Sequence, residues 1–295
     1  MNPKHIILTL LLTFCPIGMA AQSTITRNKP KPAVTKPKPA TKPKAKPKPA
    51  PRRNSTSHSS STVSLSTELN KLINNMVYVS GGTFTMGATS EQGSDVYDNE
   101  KPTHNVTLSS YYICKYEVTQ ALWRAVMGNN PSNFKGDNLP VEYVSWDDCQ
   151  TFINRLNSYT GRNLRLPTEA EWEFAARGGN YSRHYKYSGS NYISDVAWYS
   201  DNSGNRTHPV GTKQANELGL YDMSGNVYEW CSDWYGSYSS YSQNDPTGPN
   251  SGSYRVRRGG CWYYYASFCR SSYRFGSSPG YRLYYLGLRL VLSQL

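Results

Sequence analysis

Acidic side chains are missing from the first 67 residues of this 295-residue chain, where twelve of the 32 Lys and Arg residues lie. The remaining 20 basic residues balance the 20 acidic ones, so the formal charge of +12 belongs to an N-terminal tail and residues 68–295 are neutral. This argues against a nucleic-acid-binding domain with a basic face. Long apolar runs are also scarce. The run from Ile6 to Phe14 is too short to span a bilayer, and no later segment reaches that length. HExxH, CxxC, P-loop and G-x-S-x-G patterns are absent and the five histidines are scattered, which leaves no zinc-hydrolase, dithiol, nucleotide or serine-hydrolase constellation. Near the C-terminus, Arg257 to Arg289 contains no Asp, Glu, Lys, Asn, Gln or Met, although it holds seven tyrosines, six arginines and two cysteines.

What is present divides the chain in three. Residues 1–21 have the layout of a secretory signal: Lys4, the apolar run, then Gly18, Ala20 and Ala21 ahead of Gln22. Leu12-Thr13-Phe14-Cys15 loosely resembles a lipoprotein box, but Phe14 is bulky where a small residue is expected, which favours ordinary cleavage. The protein is therefore expected to be exported and to be periplasmic, cell-surface or secreted. Residues 22–67 form a linker. Its first part alternates Lys with Pro, which imposes an extended polyproline II path. At ~3.1 Å per residue, Lys29 to Arg52 reaches roughly 75 Å. Such a solvated spacer suits weak contact with cell-wall polymers or an anionic membrane, and predicts no specific nucleic acid. The stretch NSTSHSSSTVSLST that follows is polar and expected to be disordered.

Order is expected from Glu68 to the end. Leu69, Leu72, Ile73 and Met76 recur at helical spacing and lead into the strand-like MVYVSGGTFTMG. A second helix is predicted over about 145–158, where Trp146, Cys149, Phe152, Ile153 and Leu156 fall on one stripe. A third starts at RLPTEAEWEFAARGG, where Thr168 and Glu171 form a capping box and Gly178 is a stop.

The segments MVYVSGGTFTMG, KYEVTQALWRAVMG, NLPVEYVSWDDC, LRLPTEAEWEFAARGG, GLYDMSGNVYEW and RVRRGG…GLRL occur in the order seen in the formylglycine-generating, sulfatase-modifying factor family, which residues 76–292 resemble throughout. The resemblance implies an irregular, loop-rich α+β fold related to C-type lectins, with few short helices and small antiparallel sheets. Function does not follow from fold. The family holds oxidases that turn a sulfatase cysteine into formylglycine with oxygen and copper(I), and also non-catalytic scaffold and ligand-binding proteins.

The oxidases hold copper(I) through two thiolates, soft ligands suited to that ion. In the family's frame the serine of the RGGS motif is Cys261 here, the first copper cysteine is Tyr264 and the second is Cys269. One ligand is thus a phenol, a poor thiolate substitute. Cys261 and Cys269 could form the pair only if their loop rearranged. An exported chain keeping Cys114, Cys149, Cys231, Cys261 and Cys269 has an odd count and at least one unpaired thiol. Segments that family members bring together make Cys231–Cys261 the first choice of disulfide. His104 and His208 match family positions and are expected to be structural hydrogen-bonding residues. YDMSGNVYEW resembles a segment that binds structural calcium in the family, which implies Asp222, Gly225, Val227 and Glu229 as ligands, a hard oxygen set.

Within 257–289, Arg257, Gly259, Gly260, Trp262, Cys269, Arg270, Arg274, Pro279, Arg282, Gly287 and Arg289 fit the family frame. The residues between them are different in kind: Tyr263, Tyr264, Tyr265, Ser267, Phe268, Tyr273, Phe275, Gly276, Ser277, Ser278, Gly280, Tyr281, Leu283, Tyr284 and Tyr285. Each is encodable by a codon ending in C, as an AAC codon with randomised adenines would give. The segment resembles the variable region of a diversity-generating retroelement target. Tyr gives large contact area with few rotors, and Ser and Gly give adaptable hydrogen bonding, as in a paratope. Three consecutive tyrosines cannot all be buried on one strand face. The expected function is therefore a non-catalytic binding protein with a face at 261–285 for an unidentified protein or glycan, the alternatives being the copper oxidase and a surface scaffold.

Overall fold

The computed structural model describes residues 64–293. The expected signal segment, and the linker up to residue 63, lie outside them. The first helix, α1 (Leu65–Asn74), begins three residues ahead of the expected boundary at Glu68. Ser64 caps it by accepting from the Thr67 N–H, which satisfies one of the donors a helix start leaves open. Met76 falls outside the helix and opens β1 (Met76–Val79).

The remaining elements, in chain order, are β2 (Gly82–Met86), β3 (His104–Leu108), β4 (Tyr111–Cys114), α2 (Gln120–Met127), α3 (Trp146–Thr160), β5 (Leu164–Arg165), α4 (Glu169–Ala176), α5 (Ile193–Val196), β6 (Tyr228–Trp234), β7 (Gln243–Asn244), β8 (Arg255–Arg258), β9 (Arg274–Ser277), β10 (Leu286–Leu288) and β11 (Val291–Ser293). The helix starts read from sequence are found. Ser145 and Asp148 cap α3 reciprocally, and Thr168 and Glu171 do the same for α4. Gly178, at φ 91°, follows α4 in the left-handed conformation a side chain would resist. Helix α2, inside KYEVTQALWRAVMG, was not expected. Its local signals are the Thr119 cap, an apolar stripe of Leu122, Trp123 and Val126, and Gly128 in the left-handed region, within eight residues.

Three sheets carry the fold, in the orders β1-β4-β11-β5, β10-β6-β8-β9 and β2-β3-β7. Most pairings are antiparallel, but β10 with β6 and β3 with β7 run parallel because long connections return the chain in the same sense. The last two strands are divided between sheets: β10 joins β6, and β11 inserts between β4 and β5. The segment leading into them is thereby held from its C-terminal side.

The β10-β6-β8-β9 sheet separates two apolar clusters. Alternation along β6 sends Tyr228 and Trp230 to one with Phe152, Leu156 and Leu286, and Cys231 to the other with Trp172, Phe174 and Val256. Each large apolar side chain so buried contributes about 1.5–3 kcal/mol. Set into this interior are ion pairs: Arg258 with Glu173, Arg270 with Glu100, Arg274 with Glu169 and Arg289 with Glu229. Arg270 meets Glu100 through both terminal nitrogens at 2.7 Å, and Ser272 adds its hydroxyl to the same carboxylate. Burial opposes ionisation of Glu100, but hydrogen bonds from Arg270, Ser272 and the Tyr97 N–H outweigh it and hold the carboxyl below its ordinary value.

Removing one member of such a pair leaves the other charged and dry. Arg270→Ala is expected to cost about 3–5 kcal/mol in urea unfolding. Because the folded value of Glu100 is depressed, the pair's contribution is full above the ordinary value of 4.5 and is lost as pH falls through the lower folded value. The gap between wild type and variant should therefore shrink in acid, and a gap independent of pH would contradict the pairing.

Candidate functional site

Strand β8 is followed by Gly259 and Gly260, with φ of 98° and 73°. A Cβ on Gly260 would lie 2.7 Å from the Phe268 carbonyl oxygen, so only glycine lets the next ten residues fold back against the strand end. The chain then passes Cys261 and Trp262, takes a 3-10 turn at Ala266–Cys269, enters β9 and returns by 278–285 to β10. Trp262 is fixed by donating its indole N–H to the Tyr284 carbonyl at 3.1 Å, which ties the two arms together.

Tyr263, Tyr264, Phe268, Tyr273, Tyr284 and Tyr285 form one network of mostly edge-to-face rings. Ring centroids of Tyr264 lie 5.2 Å from Phe268 and 5.5 Å from Tyr285, and Tyr263 stacks 6.2 Å from Tyr285. Such pairs contribute about 0.5–1.5 kcal/mol beyond area burial. Tyr263, Tyr265, Phe275, Tyr281 and Tyr284 are exposed, whereas Tyr264, Ser267, Phe268, Ser278, Leu283 and Tyr285 are half-buried. Two expected contact residues are not available at the surface. Tyr273 is buried under Phe268 and Tyr97, at centroid distances of 5.0 and 5.7 Å, and Ser277 is buried at the end of β9 although it lies on the same side of the strand as the exposed Phe275. Two residues outside the segment join the face without having been expected. Tyr97 stacks on Phe268 at 6.2 Å, and Tyr143, at φ 64°, donates its N–H to the Leu283 carbonyl.

Cys261 and Cys269 are both buried and unpaired. Cys261 packs in the cluster with Tyr228 and Tyr273, and Cys269 packs with Tyr187 and Val196. Burial pushes the Cys269 thiol up to about 12 and Cys261 higher still, so the thiolates that copper(I) needs are costly here. Tyr264 cannot take a thiolate's part: its ring is packed against Tyr228, Phe268 and Tyr285. The residues present do not fit a copper pair. The expected Cys231–Cys261 disulfide is also absent. All five described cysteines are free, and alternation along β6 points Cys231 into the cluster on the opposite side of the sheet from Cys261.

The segment expected to hold calcium is mostly buried. Asp222, at φ 59°, accepts the Gly211 N–H at 2.7 Å through Oδ2, while its buried Oδ1 has no partner. Glu229 accepts from Arg289 and from the Trp172 indole at 2.7 Å. A third carboxylate, Glu117, accepts from Asn226 and from the Val227 N–H. Burial, then Asp222 and Glu229, push Glu117 up, and burial pushes Asp222 up to about 6. Among the described residues no three His, Cys, Asp or Glu side chains are arranged to hold a metal, but the expected set uses only two, completed by the Gly225 and Val227 carbonyls. The orphaned Asp222 oxygen and a surplus of carboxylate over the single Arg289 fit a cation. His104 and His208 are hydrogen-bonded to backbone carbonyls, Pro102 at 3.2 Å and Ser203 at 2.7 Å.

The thiol geometry makes a direct expectation. In native protein an alkylating reagent should leave peptides containing Cys261 and Cys269 unlabelled by mass spectrometry, and label them once guanidinium is added. Rapid native labelling of either would contradict their burial.

Residues 62–294 match the sulfatase-modifying factor enzyme 1-like domain. The chain is 38% identical over 248 residues to the chaperone protein LppX of Paenibacillus barcinonensis, covering 67% of this chain and 82% of that one. It is 28% identical over 291 residues to the formylglycine-generating enzyme of Mus musculus, covering 76% of each. Among solved structures, Treponema denticola variable protein 1 superimposes with a TM-score of 0.68 at 35% identity, over 74% of this chain and 95% of that one. With its capped helices, its RGG turn and its C-terminal strands placed as described, this chain belongs to the sulfatase-modifying factor family.

Proposed function

We propose that this protein is an exported, non-catalytic ligand-binding protein whose contact face is built from residues 261–285. Tyr264 carries the reading: a packed phenol stands where the family's oxidases place a copper thiolate, and the tyrosines beside it face solvent. The surrounding residue set is that of a paratope, with rigid amphipathic rings for contact area and serines and glycines for adaptable bonding. The likeness to a Treponema protein named for its variation supports reading these positions as diversified. Export rests on the signal-like residues 1–21. The Lys/Pro spacer would hold the domain away from a wall or anionic membrane. The ligand class is a protein or a glycan.

Purified protein, given copper, oxygen and a sulfatase-type cysteine peptide, is expected to yield no formylglycine by mass spectrometry. Robust turnover would overturn the proposal and favour an oxidase using Cys261 and Cys269.

Calcium belongs to the same proposal as a structural ion. Asp222 and Glu229 would hold it with the Gly225 and Val227 carbonyls, neutralising the carboxylate surplus beneath the face. Calcium at a hundredfold excess over its Kd should raise stability by about 2.7 kcal/mol. Asp222→Asn should remove that response, and a melting temperature indifferent to both calcium and chelator would dismiss the ion.

A further inference from the structure

Five of the six arginines in 257–289 meet carboxylates from elsewhere: Arg258 with Glu173, Arg270 with Glu100, Arg274 with Glu169, Arg282 with Asp148 and Arg289 with Glu229. Arg257 is different. Its residue is 6% exposed, its Nε and Nη1 are buried without a hydrogen-bond partner, and no described carboxylate pairs with it. Around it are rings. The guanidinium carbon lies 4.3 Å from the Tyr228 centroid, 4.8 Å from Phe275 and 5.6 Å from Tyr285. Ring faces attract the cation but accept none of its N–H bonds in the plane of the fork. A buried charge left in that state is costly, and proteins ordinarily satisfy it.

Its position connects it to the contact face. Arg257 opposes Phe275 across β8 and β9, and directly opposed residues project from the same side of a sheet. Phe275 is exposed and Tyr285 half-buried, so the fork, with Nε and Nη1 unpartnered and the Tyr285 hydroxyl beside it, lies immediately beneath two rings of the face. No acidic residue occurs anywhere in 257–289 to satisfy it from within.

We infer that Arg257 is the anion-recognising floor of this face, and that the ligand is a polypeptide presenting an Asp or Glu side chain between the tyrosines. This rests on the reading of 261–285 as a binding face. A planar carboxylate matches the guanidinium fork through two parallel N–H bonds. One such group also balances the single positive charge, whereas a dianionic phosphate would leave surplus charge among phenols. The rings of Phe275 and Tyr285 cover the donors, so the carboxylate reaches them by turning one of these rings aside, while the arginine backbone is already fixed in β8. A polypeptide is favoured over a glycan because exposed tyrosines with serine and glycine are the composition that engages protein surfaces.

The test is selection of a random peptide display library on the full-length protein, its Arg257→Gln, Arg257→Met and Arg257→Lys variants, and a Tyr263→Ser/Tyr285→Ser double variant. Peptides selected by wild type should be enriched in Asp and Glu. Synthetic versions should bind at least about tenfold tighter than their Glu→Gln or Asp→Asn counterparts, the discrimination expected of a desolvated charge pair. Arg257→Gln should erase that difference and Arg257→Lys should keep part of it. Arg257→Met should melt no lower than wild type, since it removes an unpaired buried charge, which separates loss of recognition from loss of fold. Selected peptides without acidic preference, or discrimination intact in Arg257→Gln, would overturn the inference while leaving the face standing. Equal binding of the same peptides by the double tyrosine variant would instead remove the face. Binding confined to acidic sugars on a glycan array, with no peptide selected, would overturn the polypeptide assignment.

Discussion

Four buried arginine–glutamate pairs govern where the C-terminal segment runs. Arg258, Arg270, Arg274 and Arg289 each reach out of that segment to Glu173, Glu100, Glu169 or Glu229 on other elements. A dry guanidinium tolerates little displacement from its carboxylate, because any gap would expose both charges to the full desolvation penalty. The backbone between them is therefore held at four points, with the Trp262 indole and the buried Tyr273 adding to the hold. That hold explains how a loop-rich surface of tyrosines and serines can be carried on a fixed frame. It also identifies what cannot be exchanged: the arginines, and the glycine pair that turns the chain back on itself.

The same close packing decides the chemistry. Segments dense enough to exclude water from ion pairs also bury Cys261 and Cys269, raising both thiols and removing them from the electropositive, accessible setting a reactive cysteine requires. The tyrosine at position 264 completes the change by filling its place with a ring packed on three other aromatic residues.

Local chemistry made much of the fold readable. Capping boxes at Ser145 and Thr168 name their helix starts because the bonds they form span only three residues. Helix α2 carries the same kinds of signal, a Thr119 cap and an apolar stripe of Leu122, Trp123 and Val126, in only eight residues. The proposed contact face stands out as composition, since Tyr263 through Tyr285 differ in kind from the family frame. Which of its members point outward is not legible in composition. Tyr273 and Ser277 look identical in kind to their exposed neighbours, and only tertiary packing, the ring of Phe268 over Tyr273 among it, puts them inside.

The amino-acid sequence by itself determined the family, the charge neutrality of residues 68–295, the presence of Tyr264 where the family frame has a cysteine, and the aromatic alphabet of 261–285. Each of these is a property of residue type and order. The tertiary structure alone decided the pairing of the arginines, the separation of Cys231 from Cys261 by a sheet, the arrival of Tyr97 at the face, and the solitary state of Arg257. Those facts depend on which distant residues share a desolvated space, where a single missing carboxylate changes a structural arginine into a group available to a ligand.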